Sequence, residues 1–165
     1  MKWVVDTNVP VVANGQMSIN DADGVPTIQC RLNAVKFLNK LLQSHVVLLD
    51  LAWAIQEEYR TYLDPAGQPG VGDQFYREIL NSDPSRIRRI ELPLRENGEY
   101  RDCPDLLIDT GFDPSDRKFA ALANKENAGV ANATDSDWIN HSVELEDCDI
   151  SIENLCGCDP VDWYQ

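Results

Sequence analysis

Basic residues are scarce in this chain of 165 residues: 14 Lys and Arg stand against 28 Asp and Glu, a formal net charge of −14. A protein that binds nucleic acid mainly by neutralising phosphates carries a basic face. Here only Arg86-Ile87-Arg88-Arg89 forms a local basic cluster. Long-range attraction of DNA or RNA is therefore weak or repulsive away from a specific site, and the acidic surface suits a basic protein partner. Long apolar runs are also missing. None approaches the roughly 18 residues a membrane-spanning helix needs, and no basic-then-apolar leader precedes the first strand, so neither a membrane anchor nor an export signal is read. Five cysteines (Cys30, Cys103, Cys148, Cys156, Cys158) form an odd, scattered set. That pattern favours reduced thiols in a cytoplasm over a disulfide framework. The two histidines, His45 and His141, stand alone and read as structural or surface residues. Internal repeats and low-complexity segments are lacking as well.

What is present points to one α/β domain over residues 1–155 with a tail over 156–165. An apolar content of 43% is ordinary for a globular chain, and the length suffices for a single core. The opening Lys2-Trp3-Val4-Val5-Asp6-Thr7-Asn8-Val9 reads as a buried strand that stops on an acid. A polar loop over residues 16–26 leads to Thr27, a helix cap. From Ile28 the apolar positions Leu32, Val35, Leu38, Leu41 and Leu42 recur at helical spacing. A second strand over 45–50 ends on Asp50, and a helix over about 52–63 follows. Pro and Gly over 65–72 make an irregular loop. A short helix near 73–80 then leads to a third strand over 86–92. Residues 93–113 read as an insertion or lid, and Asp113-Pro114 opens a helix to about Lys125. A fourth strand over 129–134, a short helix from Asp137 and a last strand over 149–155 complete the pattern. Strands alternating with helices predict a central, mainly parallel sheet with both faces covered.

Acids recur where these strands end. In open parallel sheets, ligands bind outside the carboxyl ends of the strands, so Asp6 is directed at a crevice. Burying an unpaired carboxylate is costly, and a divalent metal is the partner that would justify it. Leu51, Ile55, Glu58 and Tyr62 fall on one helical stripe, which places Glu58 on a face expected to be buried, whereas Glu57 lies about 100° around it. Glu58 also fits the edge of that face with no further role. Asp116 precedes Phe119, Ala120 and Ala123 at helical steps, although Asp113, Pro114 and Asp116 equally suit a helix start that needs no function. Asp135 follows the fourth strand directly. Asp137 serves either the site or the cap of its helix, and Asp50 equally well caps the helix after strand two. Hard cations such as Mg²⁺ and Mn²⁺ prefer carboxylate and water oxygens to imidazole. Two such ions about 4 Å apart can clamp a phosphodiester, generate hydroxide and stabilise the attacking and leaving oxygens.

The motifs Asp6-Thr7-Asn8, Glu58-Tyr59, Asp116-Arg117-Lys118-Phe119-Ala120-Ala121-Leu122-Ala123 and Asp135-Ser136-Asp137-Trp138 resemble, in that order, those of the PIN-domain (PilT N-terminus-like) nucleases. The resemblance covers roughly residues 1–153. It implies a PIN-like α/β/α sandwich and a metal-dependent endoribonuclease, in some settings the toxin of a toxin–antitoxin pair. It implies Mg²⁺ or Mn²⁺ bound by Asp6, Glu58, Asp116 and Asp135, with Asp137 in support. Thr7 and Asn8 would then fix the first aspartate and nearby waters or phosphate. Arg86, Arg88 and Arg89 either grip a phosphate backbone or flank their strand as solvated charges. Partners in keeping with this reading are RNA, a basic antitoxin-like protein and a second copy of the chain, without a membrane. The rival reading is a PIN-fold module that works by binding protein, or a nuclease that acts on DNA. A zinc site from Cys148, Cys156, Cys158 and His141 fits no standard spacing. A haloacid-dehalogenase-type phosphatase would want a second acid where Asn8 stands.

Overall fold

The computed structural model describes residues 1–15, 24–66 and 70–165. Most of the polar loop expected over 16–26, and Gly67 to Pro69 of the next irregular loop, lie outside the described residues. The elements run β1 (Lys2–Val5), α1 (Asn8–Ala13), α2 (Ile28–Ser44), β2 (Val46–Asp50), α3 (Ala54–Tyr62), α4 (Val71–Asn81) and β3 (Ile87–Ile90). They continue with α5 (Asp105–Asp109), α6 (Arg117–Glu126), β4 (Gly129–Asn132), α7 (Asp137–Asn140), α8 (Ser142–Asp147) and β5 (Ile152–Asn154).

The five strands form one parallel sheet in the order β3-β2-β1-β4-β5. This is the α/β architecture that the alternation of elements predicts. The central strand β1 is apolar and, after Lys2, buried, because a parallel strand with covered faces reads as a continuous hydrophobic run. Connections from β1 to β2 and from β2 to β3 step one way across the sheet, and the connection from β3 to β4 steps back past β1. Right-handed crossovers then put α1, α2 and α4 on one face and α6 on the other. The reversal between β1 and β4 is a topological switch point, and in open parallel sheets ligands bind at the carboxyl edge of such a point. Val4, Val5, Leu48, Leu49, Val130 and Ala131 are completely buried along this core. Gly72 lets α4 close on α1, since a Cβ there would lie 1.9 Å from the Pro10 carbonyl oxygen. No helix among the described residues is long and apolar enough to cross a membrane.

Several local expectations need correction. The chain does not stay extended after Asp6 but enters α1, with Pro10 in the first turn, where its missing N–H costs nothing. In α3 the buried stripe is Ile55, Gln56 and Tyr59, while Leu51 (53% exposed) and Tyr62 (37% exposed) face solvent. Helix α6 begins at Arg117 rather than at Asp113. Asp113 instead accepts from the Ser115 N–H and hydroxyl in a local turn. Residues 93–113 contribute core rather than a detached lid: Leu107 and Phe112 are fully buried, and the Phe112 ring meets Trp138 edge-on at 5.0 Å.

The cysteines also differ from expectation. Cys30 at the start of α2 is disulfide-bonded to Cys156, whereas Cys103, Cys148 and Cys158 are free. Partners 126 positions apart in sequence gave no local signal of pairing. Beyond the disulfide the tail folds back. Trp163 is 2% exposed, its indole N–H donates to the Gly157 carbonyl, and Tyr164 pairs with Pro26 in an antiparallel bridge.

Candidate metal centre

Three of the acids at the carboxyl edge meet. Asp6, Asp116 and Asp135 each offer a carboxylate oxygen, and these oxygens all lie within 4.8 Å of one another. Asp6 leaves β1 and Asp135 follows β4, the two strands that flank the switch point, while Asp116 sits at the head of the helix leading back to β4. The chain order of the acids says nothing of this meeting; the crossover from β3 over β1 brings it about. Among the described residues no other group of three His, Cys, Asp or Glu side chains comes as close. Cys156 is taken by the disulfide and His141 by Asp137, so the zinc arrangement is not assembled.

Asp6 is 3% exposed and rigidly held. Its Oδ1 accepts the Asn8 backbone N–H at 3.1 Å, and its Oδ2 accepts the Trp138 indole N–H at 2.5 Å. Tyr59 reaches from α3 to donate its hydroxyl to the Val5 carbonyl at 2.5 Å, which fixes the strand end that presents Asp6. Burial, followed by the neighbouring Asp135 charge, pushes the Asp6 carboxyl up to about 7. Burial, with Asp6 and Asp135 behind it, pushes Asp116 up to about 9. Asp135 is raised for the same leading reason, with Asp137, Asp113 and Glu58 adding to it. Three acids with too little positive charge between them are the donor set a hard divalent cation would relieve. The residues present fit such an ion.

Glu58 faces this group without joining it. One of its oxygens accepts the Thr7 hydroxyl at 2.5 Å, and the other pairs with Lys118 Nζ at 2.5 Å. Lys118 is 7% exposed and also donates to the Ser115 carbonyl. In the sequence a lysine in a first helical turn reads as a solvated charge, and the place of Lys118 two residues after Asp116 is the available signal of its role. Asp137 is committed elsewhere. Its Oδ2 accepts the Asp113 N–H at 2.7 Å and its Oδ1 pairs with His141 at 3.2 Å, so it ties the loop before α6 to α7.

The remaining candidates divide. Asn8 lies beside Asp6, and its Oδ1 accepts the Ala133 and Thr134 N–H groups at 2.7 and 3.3 Å, locking β1 to the end of β4. Its Nδ2 is buried without a partner among the described residues. Arg86 precedes β3, at the opposite sheet edge, in a pocket with Arg77, Glu78 and Asp83. Arg88 lies 4.0 Å from Glu126, at the far end of α6. Arg89 stacks on Trp53 and donates to Gln56. The three arginines therefore do not form one basic grip. Arg88 and Arg89 are successive on β3 and so point to opposite faces of the sheet.

No family model and no curated protein matches the chain. Among solved structures, the crystal structure of VapBC2 from Rickettsia felis bound to a DNA fragment from their promoter is similar to it. The identity is 16% over 93% of this chain and 98% of that one, with a TM-score of 0.46.

Proposed function

We propose that this chain is a metal-dependent endonuclease of the PIN type that hydrolyses RNA phosphodiesters. The convergence of Asp6, Asp116 and Asp135 at the switch point carries the reading. In it, Asp6, Asp116 and Asp135 hold Mg²⁺ or Mn²⁺, and Glu58 and Asp137 contribute from the surrounding shell. Such an ion supplies Lewis-acid charge that lowers the pKa of water and stabilises oxygens that gain charge during phosphoryl transfer. The side chains supply the rest. Trp138 and the Asn8 N–H hold both oxygens of Asp6, so its orientation survives changes in occupancy. Lys118, held by Glu58, would supply a fixed positive charge beside the cluster to phosphate oxygens that gain charge. Asn8 acts indirectly, its Oδ1 holding the chain after β4 against the strand end that presents Asp6. Thr7 keeps Glu58 in place.

A second reading is favoured by the net charge of −14. A surface this acidic would hold a basic partner, as the toxin of a toxin–antitoxin pair holds its antitoxin. In the extreme case the fold would act only as a binding module. We place the protein in the cytoplasm, where RNA is the available substrate; the Cys30–Cys156 bond is then an exception to the usual reduced state. Cleavage of a labelled single-stranded RNA with Mn²⁺, and its loss in EDTA and in Asp6→Asn, tests the reading. The same Mn²⁺ should raise the wild-type melting temperature but not that of Asp6→Asn. Cleavage that persists in EDTA would overturn the metal mechanism, and absence of both effects leaves the binding module.

A further inference from the structure

The turn between β2 and α3 presents Trp53 in an unusual way. Its backbone has φ of 71°, a left-handed conformation that side chains with a Cβ avoid and that glycine or asparagine would adopt more cheaply. Asp50 fixes the turn by accepting the Ala54 and Ile55 N–H groups at 2.8 Å. A bulky aromatic held out of its preferred backbone region, and left 47% exposed, calls for a functional reason. The guanidinium carbon of Arg89 lies 4.0 Å from the centroid of its ring, and Arg89 donates in turn to the buried Gln56. One face of the indole is thus backed by a cation that Gln56 holds, and nearly half of the residue remains exposed.

The position of this ring matters. Leu51 N–H continues the β2–β3 pairing to the Ile90 carbonyl, so Trp53 leaves the sheet at the carboxyl edge that also carries Asp6. Trp53 caps the same helix that carries Glu58, the residue that binds Thr7 and Lys118 beside the acid cluster. The charge balance adds a second argument. With few basic residues, phosphate contacts supply little affinity for a single strand, and the binding energy must come from elsewhere. Stacking of a base on an aromatic ring is independent of net charge and tolerates any sequence.

We infer that Trp53, backed by Arg89, is a stacking platform for a nucleobase of a single-stranded nucleic acid, one that seats the strand beside the acid cluster. The inference rests on the nuclease reading for its choice of ligand. An exposed contact for a protein partner would use the same ring edge, but would not require a planar face backed by a cation.

The test uses intrinsic fluorescence, because Trp3, Trp138 and Trp163 are at most 9% exposed and Trp53 alone among the four is open to solvent. A 2′-O-methyl oligoadenylate octamer, titrated in Ca²⁺ and recovered intact, should quench the solvent-exposed emission. Trp53→Ala should abolish that quench and weaken binding about tenfold or more, and Trp53→Phe should restore most of the affinity. An octamer abasic throughout should bind wild type and Trp53→Ala equally. The salt dependence should be shallow and the same in both proteins, since no phosphate contact is removed. Equal affinity of wild type and Trp53→Ala for the intact octamer, or absence of quenching, would overturn the platform and return the patch to a protein contact. Cleavage of unmodified RNA with Mn²⁺ is measured separately. Quenching without cleavage removes the nuclease reading and keeps the platform, and cleavage without quenching does the reverse.

Discussion

Lys118 of α6 and Glu58 of α3 form an ion pair of 2.5 Å, with side-chain exposures of 9% and 27%, at the rim of the three-aspartate cluster. The pair joins two helices from different parts of the chain and supplies the cluster with its nearby positive charge. Removing one partner of a buried pair leaves an uncompensated charge, at a cost of about 3–5 kcal/mol when burial is deep. With Glu58 partly exposed, we expect Lys118→Met to cost about 1–3 kcal/mol after allowance for solvent screening. The Mn²⁺-induced rise in melting temperature should grow in this variant, because the cation then offsets more unpaired acid. Calorimetry of both proteins with and without Mn²⁺ checks this. An unchanged Mn²⁺ response would separate Lys118 from the site.

Trp138→Phe keeps an aromatic ring against Phe112 but removes the N–H that binds Asp6 Oδ2. Loss of a hydrogen bond to a charged group costs about 1.5–3 kcal/mol. Orienting partners of a metal ligand are worth about 10–100-fold in affinity. Mn²⁺ affinity measured by isothermal titration should fall by such a factor while the far-ultraviolet dichroism stays unchanged.

The acid cluster makes stability depend on pH. Asp6 is raised to about 7 and Asp116 to about 9, against an ordinary value of 3.8. A group whose folded-state pKa is raised contributes stability that is complete below the ordinary value and is lost as pH climbs through the raised one. Without divalent metal the protein should therefore melt at a higher temperature near pH 5 than near pH 8. A cation binds the ionised form, so stabilisation by Mn²⁺ should be larger at pH 8 than at pH 5. Melting curves at both values, with and without Mn²⁺, decide it; a metal-free protein more stable at pH 8 would contradict the arrangement.

The Cys30–Cys156 disulfide closes a loop with a sequence separation of 126. Closure of a long loop is worth about 2–4 kcal/mol through the unfolded chain. Cys30→Ser should lower the denaturant midpoint accordingly. Thiol titration of the unfolded, non-reduced protein should give three free groups, matching Cys103, Cys148 and Cys158; five would show that the bond does not form.

The sequence by itself determined the class of fold and the ends of the strands. Apolar runs such as Val46-Val47-Leu48-Leu49 and the acids that follow them are local properties, and a parallel sheet sends such ends to one edge. Asp6 and Asp135 were legible for that reason, and Asp116 as the acid that heads an apolar helix. Periodicity was less reliable within helices. The stripe through Leu51, Ile55, Glu58 and Tyr62 presupposes a helix that includes Leu51, and a helix that begins at Ala54 turns Tyr59 inward instead. Helix α1 was hidden because Val9-Pro10-Val11-Val12 has the composition of a strand; packing against α2 and α4 overrides that propensity. Only the tertiary structure decided which side chains share a neighbourhood. Lys118 with Glu58, Trp138 with Asp6, Arg89 with Trp53 and Cys30 with Cys156 are each brought together by the order in which crossovers lay the helices on the sheet. A contact between distant segments depends on that order and leaves no periodic trace in either segment alone.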